Sequence, residues 1–399
     1  VTRDRVALLA ARIDALDGLR DVLGLPVSGD LAPSQWRAVT EPLRVVSRAL
    51  RDRLERARRL PERDRTDALG ELELALAEAF ATFDTFADVL SQRAAPGLGP
   101  LLAGCDVLAR DGLWRDDSRL VGLGAPIVYC DRGLGASILR QGVRTRGGVR
   151  CPIPLVQIPY ARLVDKLALT SILHEVGHQA LAALGVLPEL ARVIASAGPP
   201  AIRSQLARWS SEIGADLWAF AATGSAHALA ARELFALPSA IVLGDGAGVH
   251  PPPFVRVLLA FAWCEATWPS PRWRALAARW SAGYPAAPPS LAPVIAAVPA
   301  IAAATLGTPL AALGRRPLTA LFDLAALAPA SLQRHADVAG LAGASFAALA
   351  PCHQLAALRE LAERDAPRDF DRRLERWLIA LRLARRANPS AHGDLRWLI

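Results

Sequence analysis

Residues Asp165–Leu184 read DKLALTSILHEVGHQALAAL, and this stretch sets what the rest of the chain must be built around. Leu167, Leu169, Ile172, Leu173, Ala180, Leu181 and Leu184 recur at helical spacing. Asp165 can cap the start, Gly185 can end the helix in a left-handed conformation, and Pro188 prevents its continuation. His174 and His178 are four apart, so both imidazoles leave one face of the helix, one turn from each other. Imidazoles placed in this way can share a metal ion. Glu175 beside them can accept a proton from a water that the metal activates. A catalytic zinc takes three protein ligands and keeps its fourth position open, so the chain must supply one more ligand. Gly177 costs a helix about 1 kcal/mol relative to Ala, which points to another element packing close against it.

The best source of the third ligand is Trp209-Ser-Ser-Glu212-Ile-Gly-Ala-Asp216-Leu-Trp218, on a helix expected from about Ala201 to Thr223. Glu212 and Asp216, four apart, face one side. Among Ile213, Leu217, Trp218 and Phe220 such a pair is costly to bury unless it meets a cation or hydrogen-bond donors. Glu212 is therefore expected to bind zinc, one ion per chain, while Asp216 accepts the ring N–H of a ligand histidine. A solvent-exposed pair beside Arg208 is the alternative. Glu189 is the competing ligand, but it sits in a connection just beyond Pro188.

HEVGH followed by Glu-x-x-Ala-Asp resembles the gluzincin zinc metallopeptidases, most closely the group containing the CAAX prenyl proteases and HtpX-type heat-shock proteases. His250-Pro-Pro-Pro-Phe-Val-Arg256-Val is similar to the His-Pro-Pro-x-x-x-Arg segment that follows the acidic helix in that group. Without membrane spans, the chain looks nearer to the soluble relatives called minigluzincins. The resemblance covers roughly residues 120–270. It implies a small mixed sheet packed on the metal-binding helices, with an extended peptide substrate adding to the sheet edge. Ile153–Ile158, between Pro152 and Pro159, is the expected edge, with Ile153, Leu155 and Gln157 as substrate-binding residues; an ordinary buried strand is the alternative. His250 is expected to stabilise the transition state from the start of a helix, and Arg256 to anchor Asp216 or Glu212.

The flanks agree with a folded, mostly helical α+β protein. The chain has 399 residues, 52% hydrophobic and 21% charged, enough for a sizeable core without disulfides. Leu43, Val46, Leu50, Leu54 and Ala57 form one helical stripe, with Arg44, Arg48, Arg51 and Arg58 opposite. Three short apolar runs, Ala125–Cys130, Ala136–Val143 and Ile153–Ile158, read as strands, and Pro253–Trp268 as a further helix. The expected organisation is a helical region at 1–94, a zincin-like domain at 95–283 and a second helical region at 284–399. Cysteines 105, 130, 151, 264 and 352 are odd in number and never spaced Cys-x-x-Cys, which fits reduced core residues in a cytoplasmic protein. The N-terminus makes a poor signal peptide, and the apolar run Leu291–Leu306 is short for a membrane span. A net charge of +8 would permit nucleic-acid binding, but the arginines are interleaved with acids, and neither Val39–Arg59 nor Asp369–Arg386 makes a convincing recognition helix. No nucleic-acid partner is therefore expected. The function these residues favour is zinc-dependent peptide-bond hydrolysis with Glu175 as general base. The alternative is a zinc-stabilised interaction or regulatory protein with a latent site. Substrate identity and oligomeric state are left open.

Overall fold

The computed structural model describes residues 2–18, 30–133, 135–144, 150–244, 246–339, 344–362 and 367–387. The expected flanking regions, and Asp245 in the glycine run before His250, extend beyond these residues. The described residues are mostly helical, beside one small mixed sheet, so the architecture is mostly helical α+β. Numbering the helices of ten residues or more, α1 is Thr2–Ala15, α2 Pro33–Arg58, α3 Glu62–Ala94 and α4 Leu98–Leu113. The sheet follows, with β1 Ile127–Asp131, β2 Ser137–Leu139 and β3 Leu155–Pro159. Then come α5 Thr170–Leu184, α6 Leu187–Ser196, α7 Ser210–Thr223, α8 Ser225–Leu234, α9 Pro253–Thr267, α10 Pro271–Gly283 and α11 Ala292–Gly307. The described residues end with α12 Pro329–Ala339, α13 Pro351–Ala362 and α14 Pro367–Ala387.

All three expected strands form, but their order is β1-β3-β2, with β3 parallel to β1 and antiparallel to β2. This corrects the expected substrate edge. β3 is the central strand, and its main chain is committed to a neighbour on both sides. Ile153 and Leu155 are buried against Val39, Leu43, Phe86 and Ile127, and Gln157 accepts a hydrogen bond from Ser137 Oγ at 2.8 Å. The outer strand beside α5 is β2, where Gln141, just past its end, donates its N–H to Gln179 of α5.

On α2 the expected stripe points inward. Leu43, Leu50, Leu54 and Ala57 are buried, while Arg44, Arg48 and Arg58 are exposed and Arg51 pairs with Asp14 of α1. The main hydrophobic core runs without a break from Leu102 of α4 to Leu381 of α14. It therefore crosses the expected boundary at 283/284, and the last helices complete the core around the helices that carry His174 and Glu212. All five cysteines are buried and unpaired. The single lysine, Lys166, is buried too, with Nζ 2.9 Å from Asp371 and 3.5 Å from Glu375, one turn apart on α14. With its preceding turn α11 covers Pro289–Gly307, 19 residues, longer than the run read from sequence, and by length and composition it could cross a membrane. One face of it, Val294, Val298, Ile301 and Thr305, is buried, and Thr305 accepts a hydrogen bond from Trp263 of α9.

Asp106, in the middle of α4, joins five elements. Its carboxylate accepts from Val128 N of β1 at 2.7 Å, from Arg93 of α3 at 3.0 Å and from Gln35 of α2 at 3.3 Å, and lies 3.5 Å from Arg385 of α14. Removing one partner of a buried ion pair leaves the other charge uncompensated. Asp106→Ala should therefore destabilise the fold by about 3–5 kcal/mol, read as a lower denaturation midpoint. An unchanged midpoint would show that water replaces the carboxylate at no cost.

Candidate metal centre

The site is built where α5 crosses α7. These helices approach closely because Gly177 carries no side chain: a Cβ there would stand 2.9 Å from Trp218 Cβ and 3.1 Å from Ala215 Cα. The close approach expected from that glycine is thus found, and α7 is its cause. Gly185 ends α5 with φ 67°, as expected. Asp165, however, caps a short 3-10 turn, Lys166–Ala168, and α5 itself begins at Thr170. The expected helix at 201–223 is likewise interrupted, with a short helix Arg203–Arg208 handing over to α7 at Trp209.

This crossing brings His174, His178 and Glu212 together, with one ligand atom from each within 4.8 Å of the others. His174 Nε2 lies 3.3 Å from Glu212 Oε2, and His178 Nε2 lies 3.4 Å from Glu212 Oε1. Ligand atoms each about 2.0–2.1 Å from a tetrahedral zinc stand roughly 3.3–3.4 Å apart, and each imidazole stands at that spacing from one of the two Glu212 oxygens. Two imidazoles and a carboxylate are also a donor set that zinc accepts. Glu189 plays no part, since its carboxylate accepts the main-chain N–H groups of Ala311 and Ala312.

Further partners fix the ligands. Asp216 accepts the Nδ1 proton of His174 at 2.8 Å, which leaves the Nε2 lone pair for a metal. Arg256 holds Asp216 with two hydrogen bonds, Nε to Oδ2 at 2.8 Å and Nη2 to Oδ1 at 2.7 Å. Its guanidinium lies over the Phe235 ring, 4.8 Å from the centroid. Of the two carboxylates offered to Arg256 by the sequence reading, the structure selects Asp216. Two contacts were not foreseen. Ser211 Oγ lies 3.2 Å from His178 Nδ1 and sets that ring as Asp216 sets the other. His227 of α8 is buried with Nε2 3.6 Å from Asp216 Oδ1. Ser211 was available in the quoted segment beside Glu212, whereas His227, in an alanine-rich helix, carried no spacing signal.

The electrostatics of the cluster describe a shortage of positive charge. Three buried carboxylates, Glu175, Glu212 and Asp216, face one guanidinium, Arg256. Protons go where a cation would. Burial opposes the His174 imidazolium, but Asp216 outweighs it and pushes His174 up to about 9. Burial also pushes the Glu175 carboxyl up to about 7, against the pull of His174. Burial and the His174 charge press His178 down to about 4. Burial alone would raise Asp216, yet Arg256 and His174 hold it well below the usual carboxylate range. A divalent cation between the imidazoles would supply the missing charge directly.

His250 stands at the rim. Its Nε2 is 3.6 Å from Glu212 Oε1 and its side chain is 68% exposed. It precedes α9, whose N-cap is Pro252. The structure thus gathers His174, Glu175, His178, Glu212, Asp216, His250 and Arg256 at one place, and leaves Ile153 and Leu155 in the core away from any free edge. No protein-family model, no curated protein and no solved structure matches the chain.

Proposed function

We propose that the protein is a zinc-dependent metallopeptidase of gluzincin type, holding one zinc ion on His174, His178 and Glu212. The observation that supports this most directly is the 3.3 Å and 3.4 Å spacing of Nε2 and carboxylate atoms, in a buried cluster short of positive charge. When bound there, zinc would supply Lewis acidity toward the scissile carbonyl and toward an attacking water. The remaining work falls to the chain. Asp216 and Ser211 orient the two imidazoles, and Arg256 keeps Asp216 ionised. Glu175, the only one of the three carboxylates not engaged as a ligand or by Arg256, takes the proton of the attacking water and later delivers it to the leaving amine. His250 donates toward the oxygen that gains negative charge as the carbonyl is attacked. An extended peptide adds to β2, Ser137–Leu139, the outer strand beside α5.

Elemental analysis and unbiased peptide-library cleavage together test this reading. Protein purified without chelator should carry about one zinc per chain and should cleave peptides, and chelation should abolish cleavage. Absence of stoichiometric metal would sink the zinc assignment. Full zinc without any cleavage would instead favour the zinc-stabilised interaction protein.

A further inference from the structure

We propose that Trp209 is the positioning residue for His250, holding the segment that carries it at a fixed distance from Glu212; this rests on the peptidase reading above. His250 is poorly held by its own side chain, which is mostly exposed and lies 3.6 Å from Glu212 Oε1, beyond hydrogen-bond range. What precedes it is a glycine run whose backbone has little intrinsic preference. Something else must fix the imidazole, and the indole of Trp209 reaches that run. Its Nε1–H is shared between Gly246 O and Gly248 O, 3.2 Å from each. The ring also packs against the segment. Gly246 has φ +64°, and a Cβ there would stand 2.5 Å from Trp209 Cζ2 and 3.1 Å from Pro252 Cδ. Trp209 is itself fully buried and forms the N-cap of α7, three residues before Glu212. The ligand and the pin thus share one helix. Any shift of α7 carries Glu212 and the Gly246–His250 segment together, so the distance from His250 to the metal-binding carboxylate is preserved. Pro251 and Pro252, both buried, anchor the far side of His250.

The test compares the zinc-loaded full chain with Trp209→Phe, His250→Phe and the double variant. Phe keeps an aromatic ring and lacks the N–H. In Trp209→Phe, amide hydrogen exchange across Ala247–His250 should rise about 10-fold as the shared hydrogen bond is lost. Zinc content should be unchanged. The turnover number should fall toward that of His250→Phe, a loss on the order of 100-fold, with KM little altered. The double variant should be no slower than His250→Phe alone, because both changes remove the same placed imidazole. Unchanged exchange in the segment would overturn the proposal, as would a double variant whose losses multiply. If Trp209→Phe does not fold, Gly246→Ala applies the same test from the other side, since its Cβ must displace the indole or the loop. If the wild type cleaves no peptide, the peptidase reading fails on its own. The pin is then decided by exchange at Ala247–His250 and by the rate at which diethyl pyrocarbonate modifies His250, both of which should rise in either variant.

Discussion

Glu175→Gln is expected to keep zinc and fold while losing turnover by a factor of about 10²–10⁴ or more. The amide matches the carboxylate in size and still offers polar atoms to a buried site, so packing changes little. It cannot take up a proton. Glu175 is buried one residue from His174, near enough for the charges of His174, Glu212 and Arg256 to shift its carboxyl. It lies outside the His174, His178 and Glu212 group, so under the proposed function it is free to act as base without holding the metal. The measurements are turnover on a peptide from the library screen, zinc per chain and melting temperature. Full activity in the variant would remove Glu175 as the base. Loss of zinc would make it part of the metal's support instead.

The second large effect separates the two acids of α7. Glu212→Ala should remove most of the metal, because two imidazoles alone leave an incomplete ligand set. Asp216→Asn should weaken binding by about 10- to 100-fold, since His174 loses the charged acceptor that orients it and Arg256 loses its buried partner. Competition against a chromophoric chelator reads both. Glu189→Ala is the internal control and should retain zinc, because that carboxylate caps the turn at Ala311. Zinc lost in the Glu189 variant and kept in the Glu212 variant would overturn the ligand assignment.

Both predictions draw on residues that the sequence already singled out, and the reason is periodicity. His174 and His178 must share a helix face in any fold that keeps Thr170–Leu184 helical, with Glu175 next round the helix from His174. Glu212 and Asp216 follow the same rule one helix later. The stripe on α2 and the C-terminal end of α5 were legible for similar reasons, because burial patterns and glycine terminators act over a few residues. Interruptions were less legible. The break at Trp209 leaves the apolar pattern intact, so periodicity alone runs the two helices together.

The sequence by itself determined the helix that carries the two histidines, the acidic pair that answers them, the helical α+β class and the existence of three strands. Tertiary structure alone decided the strand order, which moved the outer strand from β3 to β2. Pairing order depends on which strands meet across long loops, and no local spacing encodes it. It alone placed Arg256 on Asp216, Ser211 behind His178, and Trp209 against the backbone before His250. It also drew α14 back to Asp106 of α4, so that the last described helix closes the core around the site. Each of these contacts joins groups on separate elements, and its geometry comes from how helices pack rather than from how any one of them winds.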